Sequence, residues 1–431
     1  MSGRIAFINP KGQQTTDPEF ARILGTMINS KSYRQAYSGF GLSLLILAAL
    51  TPEDWDRELI DENYQRIDFD RPFGLVAVTA NTQQATRAYQ IGEEFGRRGV
   101  PTVLGGIHAT VLPEEAREHF QSIAVGEAES VWPRILKDWE HGDLKPFYRP
   151  EAAADLSASP PPRYELLDRE RYNTIWVQAT RGCPYDCSFC VASKIFGRRY
   201  QVRPIEQVLR DIERVKALWK SPNISFADDN LFVRRQYARD LICELKGLNI
   251  RYLVQSDISI AEDDELLKSL QESNCGMIFI GFESVSAEAL KGINKKRTKY
   301  QYLARYSSLI QKIQTMGIGV YGAFIIGFDQ DTPETIERLG DFIASNHLYA
   351  SQITILTPYP GSRVREALAA EGRLLARDWS HYNCTEVTFV PRQLTPDQLQ
   401  QAYNRLHRRV YSPEQLKRSS RYFIDIFKRL G

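Results

Sequence analysis

Three cysteines, Cys183, Cys187 and Cys190, fall within the run Arg-Gly-Cys-Pro-Tyr-Asp-Cys-Ser-Phe-Cys at 181–190. A CxxxCxxC spacing puts three thiolates on one tight loop. Such a loop can hold three corners of a [4Fe–4S] cube and leave the fourth iron without a protein ligand, whereas closed electron-transfer clusters use four Cys. An open iron is a coordination site for a small chelating molecule. Zinc is the competing occupant of clustered thiolates, but it calls for a second Cys or His pair at ligand spacing, and none follows.

Other polar residues with chemical potential stand at the ends of strand-like runs. Six such runs alternate with helices: 175–180, 224–227, 252–256, 277–282, 320–327 and 352–357. Six βα units predict an open, partial (β/α)6 barrel, in which chemistry gathers at the C-terminal strand ends. The Cys loop follows the first run, and Asp228-Asp229-Asn230 follows the second. Gln255-Ser256-Asp257 closes the third and Gly281-Phe282-Glu283-Ser284 the fourth. Gly327-Phe328-Asp329 ends the fifth, and Thr357-Pro358-Tyr359-Pro360-Gly361 the sixth. Asp228 and Asp229 read equally as turn-capping acids or as catalytic, substrate-facing ones. Tyr359 is a candidate to close the pocket or donate a proton. Arg203, just before the first helix, has a guanidinium able to meet a carboxylate, although a lone Arg is more often a surface residue.

The first 142 residues alternate strand and helix at a different pitch. Strands are expected at 4–9, 58–61, 75–80, 102–104 and 122–125, with helices at 41–50, 86–98 and after Pro113. This pattern implies a parallel sheet covered on both faces, a Rossmann-like, flavodoxin-like domain whose ligand lies beyond the strand ends. Asn81-Thr82, Gly105-Gly106 and Gly126-Glu127 occupy those ends. A Pro-rich linker at 143–171 is expected to wrap outside, the barrel to occupy 172–375, and a small helical section 376–431.

The Cys loop, with Phe189 directly before Cys190, resembles the radical S-adenosylmethionine (radical SAM) superfamily. That resemblance implies a [4Fe–4S] cluster on Cys183, Cys187 and Cys190, with SAM on the open iron and near Phe189, Gln255, Ser256 and Glu283. The stretches Gly-Leu-Ser-Leu-Leu-Ile-Leu-Ala-Ala-Leu-Thr-Pro, Gly-Gly-Ile-His-Ala-Thr-Val-Leu-Pro-Glu-Glu and Val-Gly-Glu-Ala-Glu resemble the cobalamin-binding domain that precedes many such barrels. Cobalamin is then implied across Asn81, Thr82, Gly105, Gly106, His108, Gly126 and Glu127. The Asp-x-His-x-x-Gly signature that gives cobalt a histidine elsewhere is absent, since Pro10-Lys11-Gly12-Gln13 follows the first strand. His108 comes after the fourth strand, where a hydrogen-bonding role in its loop is the simpler reading.

Lys+Arg 55 against Asp+Glu 53 leaves a net charge of +2, so no global field draws in nucleic acid. The opening residues run into a strand without the apolar stretch of a signal peptide, and the apolar run 42–50 is about half a membrane span. Six cysteines, three of them clustered, suit a reducing cytoplasm. Cys243, Cys275 and Cys384 are expected to be small buried hydrophobes. The last helix mixes Leu416, Phe423 and Phe427 with Lys417, Arg418, Arg421, Lys428 and Arg429. Its simpler fate is to pack an apolar stripe on the barrel, and its alternative is to touch a membrane surface and collect a lipid-like substrate.

Together the resemblances imply a cobalamin-dependent enzyme that methylates an unactivated carbon by way of a 5′-deoxyadenosyl radical and methylcobalamin. They also imply a small-molecule substrate, lipid- or tetrapyrrole-like, and an electron donor such as flavodoxin or ferredoxin. Oxidation, cyclisation or rearrangement with the same cofactors is the alternative outcome, as is a first domain degenerate for cobalamin. An RNA-modifying methylthiotransferase is disfavoured, because no Cys precedes Cys183.

Overall fold

A computed structural model describes residues 3–12, 18, 42–172, 174–294 and 299–430 of the 431-residue chain. The first sheet contains β1 (Arg4–Asn9), β2 (Asp56–Asp61), β3 (Leu75–Thr79), β4 (Thr102–Gly105), β5 (Ser122–Ala124) and β6 (Phe147–Tyr148). Its order is β2-β1-β3-β4-β5-β6 and every pairing is parallel. This is the flavodoxin-like order with one extra edge strand, and its direction reverses between β1 and β3, where ligands of such sheets sit. Strand residues alternate between two cores: Ala6, Ile8, Val76, Val78 and Leu104 face one layer, and Ile5, Phe7, Leu75, Ala77 and Val103 the other. That period of two is why both faces must carry helices.

Two short strands, β8 (Thr180–Arg181) and β9 (Gln201–Val202), pair antiparallel, while β7 (Thr174–Val177) opens the second sheet. It continues through β10 (Asn223–Phe226), β11 (Arg251–Ser256), β12 (Cys275–Glu283), β13 (Gly319–Ile326) and β14 (Ala350–Ile355). The order β14-β13-β12-β11-β10-β7 is parallel throughout and open, a half-barrel. The first barrel strand, expected over 175–180, is broken in two. At the break the buried carboxylate of Asp228 accepts the amides of Ala179 (3.3 Å) and Thr180, in place of a neighbouring strand of the second sheet.

The segment 143–171 does not wrap outside as expected. Phe147–Tyr148 extends the first sheet, and Leu156, Tyr164 and Leu167 are buried. Arg163 donates its amide to the Leu45 carbonyl (3.2 Å), and the Tyr164 hydroxyl donates to the Trp176 carbonyl (3.1 Å). Proline removes amide donors, but apolar residues between the prolines still seek burial, so the segment threads between the two sheets. The helix Ser43–Leu50 is wedged there as well: Leu45 and Ile46 join the barrel core, Leu44 and Ala48 the first-domain core. A helix apolar all round belongs between two layers.

The two sets of C-terminal strand ends face each other. Arg181, directly after the broken first barrel strand, reaches across to Glu127 (2.8 Å) and Glu129 (2.7 Å), which follow β5. A Cβ on Gly361, after β14, would lie 3.3 Å from Val111, after β4. Trp379 donates its indole N–H to Glu115 (2.6 Å) and sits edge-on to His108 at 5.1 Å.

Candidate functional site

The loop carrying the three cysteines is closed at its base by the β8–β9 pairing. Gly182 enters it at φ +89°, and a Cβ there would lie 2.2 Å from the Arg199 carbonyl oxygen, so the turn accepts only glycine. Cys190 donates its amide to the Cys187 carbonyl (3.1 Å), Ser188 donates to Ile293 (2.8 Å), and Val364 donates to Ser188 (3.0 Å). The loop is thus held by elements from three parts of the barrel.

Cys183, Cys187, Phe189 and Cys190 line one cavity of about 270 Å³ with Asp229, Gln255, Ser256 and Glu283. None of the three cysteines is in a disulfide. Burial pushes the Cys183 thiol up to about 11, Cys190 up to about 12, and Cys187 upward as well. Left to themselves they stay protonated at neutral pH, and bound metal would deprotonate them outright. Among the described residues no three His, Cys, Asp or Glu converge as ligands of a single ion. Three thiols lining one cavity are the donor set that an iron–sulfur cluster with one open iron would take.

Glu283 ends β12 after a register shift and has φ +66°, a conformation costly for a residue with a Cβ. The strained backbone turns its carboxylate into the cavity, where Lys299 Nζ donates to Oε1 at 2.7 Å and also to the Gly281 carbonyl. Lys299 was not anticipated from sequence. It closes the basic run 295–299, the one signal available, and meets the end of β12 only in the folded chain. The neighbouring wall is Asp257, which accepts from Asn230 Nδ2 (2.8 Å), the Ser259 amide (2.9 Å) and the Tyr185 hydroxyl (3.3 Å). Burial works to raise the Asp257 carboxyl, but the Ser259 and Asn230 bonds outweigh it and hold it below the usual range.

Other expected residues lie elsewhere. Asp228 is turned away from the cavity into its amide bonds, and burial pushes its carboxyl up to about 7 against the Thr180 and Ala179 bonds. Asp229 does line the cavity, its carboxyl raised by burial. Tyr359 does not line this cavity: it is half-buried, with its hydroxyl 2.9 Å from Cys384 Sγ. Arg203 meets a carboxylate, but of its own following helix, Asp211 at 2.7 Å. Cys275 is buried as expected, whereas Cys243 is exposed.

At the first-domain strand ends the outcome is mixed. Gly106 has φ +94°, and a Cβ there would lie 2.7 Å from Thr79 Oγ1 and 2.8 Å from the Ala80 carbonyl, so only glycine lets the chain leave β4 this way. Gly105 and Gly126 keep the ends of β4 and β5 bare. Asn81 caps the turn after β3, accepting the Gln84 amide (3.3 Å), and Thr82 is buried. His108 is fully buried, with Nε2 2.9 Å from the Tyr89 hydroxyl and Nδ1 3.4 Å from Thr82 Oγ1. Both ring nitrogens are thus engaged, with Trp379 edge-on to the ring. Glu127 pairs with Arg181 and accepts the Ala154 amide (3.0 Å). Ile107, beside them, is 43% exposed.

Residues 177–343 match the radical SAM superfamily, and residues 364–429 match a domain of unknown function, DUF4070. Over 372 residues the chain is 30% identical to the bacteriochlorophyllide d C-8(2)-methyltransferase of Chlorobaculum tepidum, covering 83% of this chain and 82% of that protein. It is 27% identical over 423 residues to the hopanoid C-2 methylase of Rhodopseudomonas palustris, covering 94% and 78%. The fold is similar to that of the radical S-adenosylmethionine methyltransferase TsrM from Kitasatospora setae, solved with cobalamin and a [4Fe–4S] cluster bound. That likeness has a TM-score of 0.67 at 18% identity, over 96% of this chain and 83% of the other.

Proposed function

We propose, from the premise that the chain belongs to the radical SAM superfamily and, within it, to the family of the bacteriochlorophyllide methyltransferases, that it is a cobalamin-dependent C-methyltransferase. Its substrate is then a small molecule, and the relatives named for bacteriochlorophyllides and hopanoids point to a large, mainly apolar one. The observation that carries the reading is the opposition of the two sets of strand ends, with the Cys-lined cavity at the C-terminal ends of the barrel strands.

Cys183, Cys187 and Cys190 would hold the cluster, and Gly105, Gly106 and Gly126, with Ile107 as apolar surface, would carry cobalamin without a histidine ligand. When bound, the cluster and SAM supply a carbon-centred radical, and cobalamin supplies the methyl group. The chain's own task is placement and exclusion of water. Glu283 and Lys299 form a matched pair for a zwitterionic ligand: the carboxylate accepts from an ammonium or from ribose hydroxyls, and the ammonium meets a carboxylate. Phe189, 6.5 Å edge-on from Phe328, offers an apolar wall for a purine. Asp229, at the cavity's edge, is the acid placed to face the substrate. Electrons would arrive from a small donor protein of the flavodoxin or ferredoxin kind.

Anaerobic reconstitution with iron, sulfide and cobalamin tests this. The protein should bind one cluster and one cobalamin and release 5′-deoxyadenosine from SAM under reduction. Cys183→Ala should lose that release, and Ile107→Glu should lose cobalamin while keeping iron. A triple Cys→Ala variant with normal iron content and SAM cleavage would falsify the assignment.

A further inference from the structure

The final helix, Pro413–Leu430, spends only part of its apolar surface on the barrel. Phe423 and Ile426 are buried, with Tyr349 edge-on to Phe423 at 5.0 Å. Gln415 donates to the Ala344 carbonyl (3.4 Å), and Tyr422 stacks on His347 at 4.8 Å, which fixes the helix's rotation. A second strip stays partly outside: Leu416, Ile424 and Phe427 are 46%, 51% and 49% exposed, one edge of Phe427 lying along Gly317. With Ser420 they fall within about 80° of one another around the helix. Lys417, Arg421 and Lys428, all exposed, form the row directly beside this strip. The helix carries two acids: Glu414, paired with Arg418 at 2.7 Å, and Asp425, both on the far side of the basic row from the apolar strip.

We propose that this helix is a peripheral membrane anchor, laying its Leu416–Ile424–Phe427 strip into an anionic lipid surface with Lys417, Arg421 and Lys428 at the headgroups. An apolar strip bordered by cations is the pattern of an interfacial helix, and each cation near an anionic leaflet adds to the attraction. A second copy of the chain fits the face poorly. A two-fold contact would set this basic row near its own image, with no acid on the exposed strip to offset it. The four exposed apolar side chains of the helix, Leu430 included, also fall far short of the roughly 800 Å² per partner that a stable dimer buries. Nucleic acid would use the cations but leave the apolar strip in water.

The fold determines what such anchoring does. Gly317 and Tyr349, against which the helix packs, come just before β13 and β14, so the helix sits at the barrel end opposite the cavity. The anchor therefore holds the enzyme at the surface with its mouth turned away from the bilayer. It does not feed lipid into the site, which corrects the sequence-based idea of substrate collection. This inference is independent of the methyltransferase reading.

Co-sedimentation of the full-length protein with vesicles tests it. Wild type should pellet with phosphatidylcholine–phosphatidylglycerol vesicles and not with phosphatidylcholine alone. Ile424→Ser/Phe427→Ser and Lys417→Gln/Arg421→Gln/Lys428→Gln should each lower the partition coefficient at least about tenfold. Lys417→Gln/Arg421→Gln/Lys428→Gln should keep the wild-type melting temperature and 5′-deoxyadenosine release, since its positions are exposed and remote from the cavity, and Ile424→Ser/Phe427→Ser should keep the release while losing in stability only the Phe427 contact at Gly317. Absence of wild-type binding to the anionic vesicles overturns the proposal, as does binding that ignores both variants. So does a wild-type dimer that the Ile424→Ser/Phe427→Ser change makes monomeric, or retention of RNA in place of lipid.

Discussion

Adjacent residues at the rim divide structural from chemical work. Asp228 holds two amides and Asp229 faces the cavity, although the sequence presents them as equals. Asp228→Ala should therefore cost about 1–3 kcal/mol of stability by orphaning buried donors, whereas Asp229→Asn should melt close to wild type; equal melting temperatures would reject this division. Lys299→Met should weaken SAM binding at least about tenfold with iron content unchanged, as measured by equilibrium dialysis. His407 sits buried in the helix Pro396–Val410, and desolvation pushes its pKa down to about 4. The unfolded chain thus takes up this proton more readily than the folded one between pH 6.5 and about 4, so His407's contribution is intact above that window and is lost as pH falls through it. The stability difference between wild type and His407→Phe should shift towards the variant by on the order of 3 kcal/mol over that range, read by urea unfolding. Lys299 could not be read as a site residue because its partners, the Gly281 carbonyl and Glu283, stand 18 and 16 positions away and meet it only in the fold, while the Cys triad was legible because its residues are local in sequence.

At the scale of elements, the alternation of strands and helices was readable wherever a strand carries a run of apolar residues. β3 and β12 emerge from sequence within a few residues of their bounds. β6 did not, because two residues among prolines carry no periodicity and pair only once the β5 edge exists. The break between β7 and β8 was equally hidden, since the carboxylate that accepts its amides stands about fifty positions away. Arg181 is the element-scale device with most consequence: a buried guanidinium, one residue from Gly182, bridges Glu127 and Glu129 of the other domain. Removing one partner of such a pair costs about 3–5 kcal/mol. Arg181→Met should accordingly loosen the first domain, raising hydrogen exchange in β5 and β8 together. Exchange confined to one of them would show that the bridge does not couple the domains.

Taken whole, the molecule is two parallel sheets set mouth to mouth, with the helix Ser43–Leu50 and the threaded 143–171 segment as the mortar between them. A carbon radical survives only where water and stray hydrogen donors are kept out, and a methyl donor must then stand within direct reach. The contacts of Arg181 with Glu127 and Glu129 bring the two sets of strand ends together, as direct transfer would require. The most direct test supplies the reconstituted, cobalamin-loaded enzyme with SAM carrying a trideuterated methyl group, reductant and small-molecule extract, and follows products by mass. The account predicts a product heavier than its precursor by one trideuteromethyl group in place of a hydrogen, formed together with 5′-deoxyadenosine and absent in Cys183→Ala. A Cys183-dependent product that forms with 5′-deoxyadenosine but carries no label would contradict methyl transfer and assign the radical to oxidation or rearrangement instead.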